Sequence, residues 1–210
     1  MINTEDQEAL FKLIADYLDA DIEGIAIGGT AMMFHNYKTT TKDIDLVFKN
    51  NKDRKIFIRA TEKLGYRQES ARFLYDEKRM KSDNKPLLYS RGEERFDLFT
   101  KDVFGFKIPF ENFAQRHDYL GKKELIIFTI PKEWLILLKS ITNREKDYED
   151  IETIVKIEKD IDWNLIIDEA IKQKKQVPWI LIDLEEKMQK LKKIAFIKKE
   201  YFDKIYLANK

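Results

Sequence analysis

The stretch from Ile25 to Phe48, IAIGGTAMMFHNYKTTTKDIDLVF, constrains the fold of this chain more than any other. Its last part, Asp43-Ile44-Asp45-Leu46-Val47-Phe48, reads as a strand. Side chains on a strand alternate faces, so Asp43 and Asp45 project from the same side, roughly 7 Å apart. Two carboxylates on one face of a mostly apolar strand repel each other. A third acid would cost about 4 kcal/mol per pair at ~4 Å and an effective dielectric of 20, a large share of the roughly 5–15 kcal/mol that holds a domain together. Such a cluster belongs at a wet edge or around divalent cations, for which carboxylate oxygens are natural ligands.

The first part of the stretch supplies a complement. Gly28-Gly29-Thr30 ends a short apolar run and opens the apolar segment Ala31–Tyr37. A glycine pair between a strand and a helix lets the backbone approach a ligand closely, and its N–H groups favour an anion. Acids suited to metals beside glycines suited to phosphates point to a metal–nucleoside triphosphate site.

Gly28-Gly29-Thr30 followed by Thr41-Lys42-Asp43-Ile44-Asp45 resembles the first motif of the DNA polymerase beta-type nucleotidyltransferase superfamily: a glycine pair, a short helix and an acid-x-acid strand. Among its subgroups, the chain looks most like the minimal, toxin-like nucleotidyltransferases related to the AbiE type IV toxins. The superfamily has a third carboxylate on a later strand, and Asp97 in Arg95-Phe96-Asp97-Leu98-Phe99 occupies that place. The toxin-like subgroup adds a helix with a glutamate and a downstream lysine, then an R-x-x-D-x-x-D run. Glu133, Lys139, Arg144, Asp147 and Asp150 match in order and spacing, so the resemblance spans about residues 25 to 150.

The resemblance implies an α/β (α+β) fold, with a mixed-sheet nucleotidyltransferase core over residues 1–130. A helical C-terminal domain, 131–210, would complete the active site. It implies a metal-dependent transfer of a nucleoside monophosphate from a nucleoside triphosphate to a hydroxyl on tRNA or protein, as in the toxin of a toxin–antitoxin pair. Asp43, Asp45 and Asp97 would hold Mg²⁺ or Mn²⁺; Gly28, Gly29, Thr30, Lys139 and Arg144 would bind the nucleotide; Asp147 would orient the acceptor or Lys139. Two rival readings stand beside it: a small-molecule acceptor such as an antibiotic, and a degenerate domain that binds nucleotide or a partner without catalysis.

Taken in order, the chain predicts a helix over 5–19, begun by a capping box of Thr4 with Gln7, and a strand at 24–27. A short helix over 31–36, a strand at 44–48 and a helix over 53–64 capped by Gly65 follow. Short strands are expected at Arg72–Tyr75 and Leu87–Tyr89, with a charged turn from Asp76 to Pro86 between them. Further strands fall at 95–99 and 126–130; residues 108–125 between them read as loops with a short strand, and Pro131 opens a helix. The helical remainder reads as segments over 134–141, 146–156 and 162–174, then a last stretch that runs with breaks from Pro178 to about Tyr206. The aromatics Phe96, Phe99, Phe104, Phe106, Phe110 and Phe113 are expected in the core, and His35 behind the glycine turn.

Composition narrows the class. With 43% hydrophobic and 37% charged residues the chain can bury a core. Its 39 basic and 38 acidic residues nearly cancel, so any grip on nucleic acid must come from a local patch such as Lys172–Lys175 or Lys187–Lys199. Without cysteine there are no disulfides and no thiol catalysis, which fits a cytoplasmic protein. An acidic first dozen residues and no long apolar run argue against a signal peptide or a membrane span.

Overall fold

The structure, a computed structural model, describes residues 1–69, 86–142 and 144–210 of the 210 in the chain. The strand expected at Arg72–Tyr75 and the charged turn up to residue 85 lie outside the described residues, as does Asn143. The chain divides into two units, Met1–Ile130 and Pro131–Lys210.

The first unit runs β1 (Ile2–Asn3), α1 (Thr4–Tyr17), β2 (Ile22–Ala26), α2 (Gly28–Phe34), β3 (Thr40–Thr41), β4 (Asp43–Phe48) and α3 (Asn51–Lys63). It continues with β5 (Arg67–Glu69), β6 (Leu87–Arg91), β7 (Glu94–Thr100), β8 (Asp102–Val103), β9 (Phe106–Lys107), β10 (Gln115–Leu120) and β11 (Glu124–Thr129). The fold is mixed α/β: the main path of the large sheet has the order β10-β11-β2-β4-β7-β6-β5, and the pairs β11–β2 and β4–β7 are parallel while its other neighbours run antiparallel.

β4 lies between β2 and β7, the place where the sheet buries the most. Ile44, Leu46 and Phe48 are fully buried, and their faces match Phe96 and Leu98 of β7 in register. α3 covers this face because Ile56, Phe57 and Ala60 recur at helical spacing. The Phe57 ring meets Phe48 at 5.3 Å and Phe96 edge-on at 5.4 Å between centroids. Asn50 begins α3 by accepting the Asp53 N–H at 2.9 Å, and Gly65 follows its end at a φ of 91° that favours glycine. The opposite face of β4 and β7 carries Asp43, Asp45 and Asp97, followed by the buried Val47 and Phe99.

The start of α1 differs from the expected capping box. Asn3, not Thr4, is the N-cap: its Oδ1 accepts the Asp6 N–H at 2.8 Å. Asparagine caps at least as well as threonine, and Asn3 is already extended in β1. Gln7 does not reach back to the cap, since its spacing from Leu10, Phe11 and Ile14 puts it on the buried face. Its carboxamide nitrogen and oxygen are both buried without a hydrogen-bond partner among the described residues. Of the six phenylalanines expected in the core, Phe96, Phe99 and Phe106 are buried, while Phe104, Phe110 and Phe113 are half-buried.

The second unit contains α4 (Lys132–Ser140), α5 (Glu145–Ile157), α6 (Trp163–Gln173), α7 (Ile180–Leu191) and α8 (Lys199–Asn209). Leu135, Ile151, Ile154, Ile167, Leu184, Leu191 and Ile205 fill its interior. The stretch after Pro178 is two helices, with its break at the Lys192–Lys198 link. Among the described residues, no helix is long and apolar enough to cross a membrane.

Candidate functional site

In the first unit the parallel pairing of β4 with β7 fixes the acids. The register sets Asp45 opposite Asp97 and Asp43 opposite Arg95, so all four side chains share one sheet face on strands about 4.8 Å apart. Asp97 is buried, while Asp43 and Asp45 are half-buried. Three carboxylates at this spacing call for positive charge, and sequence reasoning missed its protein source. The Arg95 guanidinium bridges the two strands: its Nη2 meets Asp43 Oδ2 at 2.6 Å and its Nε donates to Asp97 Oδ1 at 2.8 Å. The signal was present, because Arg95 stands two residues before Asp97 and strand alternation puts both on one face.

The donor chemistry of Asp43, Asp45 and Asp97 fits Mg²⁺ or Mn²⁺, both of which favour carboxylate oxygen. Among the described residues, no three His, Cys, Asp or Glu side chains converge as a metal ion requires. In the arrangement seen, Arg95 gathers two of the three acids.

The glycine turn leads directly to Asp45. Gly28 has φ +53°, and a Cβ there would collide with the Asp45 carboxylate. A Cβ on Gly29 would strike the Thr41 hydroxyl. The space thus saved lets the Gly29 N–H donate to Asp45 Oδ2 at 3.2 Å. Thr30 is fully buried, and its hydroxyl accepts the Asp45 N–H at 2.8 Å. Gly28, Gly29 and Thr30 therefore hold the central acid from both its backbone and its carboxylate. His35 ends α2 and hydrogen-bonds the Ile130 carbonyl at 2.8 Å, while its ring stacks on Tyr37. Lys42 is exposed.

Within the second unit the structure brings Lys139, Arg144, Asp147 and Asp150 together. Lys139, at the end of α4, is only 4% exposed, and its Nζ meets Asp150 at 2.5 Å and Asp147 at 3.3 Å, both on α5. Both aspartates are buried, because i and i+3 positions share a helix face and this face turns inward. Asp147 also accepts from Thr142 Oγ1 and, at 2.6 Å, from Arg144 Nε. Burial works against its ionisation, but the Lys139 charge and the bonds from Arg144 and Thr142 outweigh that and hold its carboxyl below the usual aspartate range. Arg144 meets Asp147 through its Nε, while its side chain stays 69% exposed. Glu133 accepts the Asp162 N–H in this same unit.

A family model described as a nucleotidyltransferase of unknown function (DUF6036) matches residues 6–204. No curated protein matches the chain. Among solved structures, the crystal structure of JHP933 from Helicobacter pylori aligns at 11% identity over 100% of this chain and 94% of that one, with a TM-score of 0.46.

Proposed function

Since the chain belongs to the family of nucleotidyltransferases of unknown function (DUF6036), we propose that it moves a nucleoside monophosphate from a nucleoside triphosphate to a hydroxyl of RNA, in the manner of a toxin nucleotidyltransferase. The observation that carries this reading is the clasp on Asp45. The buried Thr30 hydroxyl accepts the Asp45 N–H and the Gly29 N–H donates to its carboxylate, which holds Asp45 directly across from Asp97 on one face of two parallel strands. Electrostatic repulsion makes this arrangement costly as mere scaffold, and it suits carboxylates that would hold a divalent cation against the phosphates of a triphosphate.

Asp43, Asp45 and Asp97 would hold the divalent cation, which when bound neutralises phosphate charge and activates the attacking hydroxyl. The Gly28-Gly29 turn fixes Asp45, and its lack of side chains suits the close approach of a phosphate group. Arg144, steadied by Asp147, presents a guanidinium suited to phosphate oxygens. Lys139 draws Asp147 and Asp150 onto α4 and so orders the segment that carries Arg144.

RNA is favoured over protein as acceptor by the lysines near the end of the chain. Residues 171–210 hold eleven lysines and five acidic residues, whereas 131–170 hold six basic and eleven acidic ones. Phe196, 89% exposed, sits in sequence between Lys192-Lys193 and Lys198-Lys199, a pairing of aromatic ring and cations that suits unpaired nucleotides.

Label transfer tests the reading. Purified protein with Mg²⁺ or Mn²⁺ and each α-labelled nucleoside triphosphate in turn is expected to label total tRNA, and the Asp45→Asn variant is not. Label on cell protein instead of RNA would move the acceptor to protein. Triphosphate binding without any transfer would favour a small-molecule acceptor, and no binding would favour a non-catalytic domain.

A further inference from the structure

We propose that Arg95 is a positioning residue that serves as the resident counter-cation of the acid face, holding Asp43 and Asp97 until a divalent ion takes the same carboxylates. The inference rests on the reading that these acids bind a divalent ion.

Three observations carry it. First, Arg95 does not pair with one neighbour but spans two strands, with Nη2 on Asp43 of β4 and Nε on Asp97 of β7. The planar guanidinium presents these N–H groups as a fixed fork of two separate nitrogens, whereas a lysine ammonium is one point charge. Second, these bonds fall on the carboxylates that the divalent ion needs, with Asp45 between them held by the Gly29 N–H. Third, Arg95 is itself largely enclosed, its side chain 23% exposed beside Asp43 at 29% and Asp97 at 5%. A charge this enclosed stays only where opposite charges meet it.

Arg95 brings one positive charge to this face. A divalent ion would bring two and draw on the same carboxylates, so the two cations would compete for them. Ion entry exchanges one cation for the other, and the observed ion affinity includes the cost of releasing Arg95. The arginine thus keeps β4 and β7 in register before the ion arrives and sets the ion concentration at which the site fills.

The test is calorimetric titration of the full chain with Mn²⁺, paired with thermal unfolding with and without Mn²⁺. Arg95→Gln is expected to lower the unfolding midpoint without metal, to bind Mn²⁺ about tenfold more tightly than wild type, and to regain its midpoint when Mn²⁺ is added. Arg95→Lys, which keeps the charge but lacks the two-nitrogen fork, is expected to fall between them and serves if the glutamine variant fails to fold. Asp45→Asn should remove Mn²⁺ binding. If wild type binds Mn²⁺ and both variants bind it equally or more weakly, the exchange is wrong while the ion site stands. If neither wild type nor variants bind Mn²⁺, the ion reading itself falls and takes the exchange with it.

Discussion

At the scale of single residues, Lys139 and Asp147 show how a sequence motif can be tied into a buried ion-pair network. Removing the cation from a buried network leaves two aspartates without their partner, and such losses cost about 3–5 kcal/mol. Lys139→Met is therefore expected to lower the unfolding free energy by about that amount in urea titrations. Lys139→Met combined with Asp147→Asn and Asp150→Asn should recover part of it. Acid acts through the same group. The Asp147 carboxyl lies below its ordinary value of 3.8 in the folded chain, so its contribution is fully present above that value and is lost as the pH falls through its lower folded value. Urea midpoints measured from pH 5 to pH 2 should fall less steeply for Asp147→Asn than for wild type. Spacing alone puts these residues on one helix face but cannot tell which way the face turns. Inward and outward faces differ only in what the rest of the unit packs against them.

Among the elements, the strands and helices of the site are the most legible in the sequence. β4 and β7 announce themselves by alternation, and α3 by its spaced apolar residues and the glycine after it. The N-terminal cap of α1 is not legible, since Asn3 and Thr4 both suit that role and the choice follows from the pairing of β1 with β3, which no local pattern records. β10 is blurred among the loops expected over 108–125: its run Gln115–Leu120 is polar because most of it is exposed at the sheet edge. Arg95 escapes a local reading because its meaning depends on the register between two strands, not on its own strand. Gln7 offers a test of α1. An unpaired buried amide costs about 1–3 kcal/mol, and an apolar side chain of like shape removes that penalty. Gln7→Met is expected to raise the midpoint in a thermal melt; an unchanged or lower midpoint would show that the buried amide is not a net cost at this site.

Across the whole molecule, charge is nearly balanced in total and unevenly distributed along the chain. A near-zero sum hides the lysine-rich end from any argument based on net charge, and only the local count reveals it. If that end grips RNA, Lys192→Glu with Lys193→Glu should weaken tRNA binding and flatten its dependence on salt, by roughly 0.7–0.9 in log–log slope for each phosphate no longer neutralised. Equal binding and slope in fluorescence anisotropy would place the grip elsewhere. The topology of the first unit has a consequence in time as well as in space. β2, which leads into the glycine turn, pairs with β4 soon after it in sequence, but its other neighbour is β11, with Ile22 matched to Leu125. Likewise Asp45 meets Asp97 only once β7 has been made. A chain still emerging from the ribosome therefore holds its first two acids long before the third, with one edge of β2 bare until residue 129 has appeared. A copy cut short before β7 lacks Asp97 and so carries only two of the three carboxylates of the acid face.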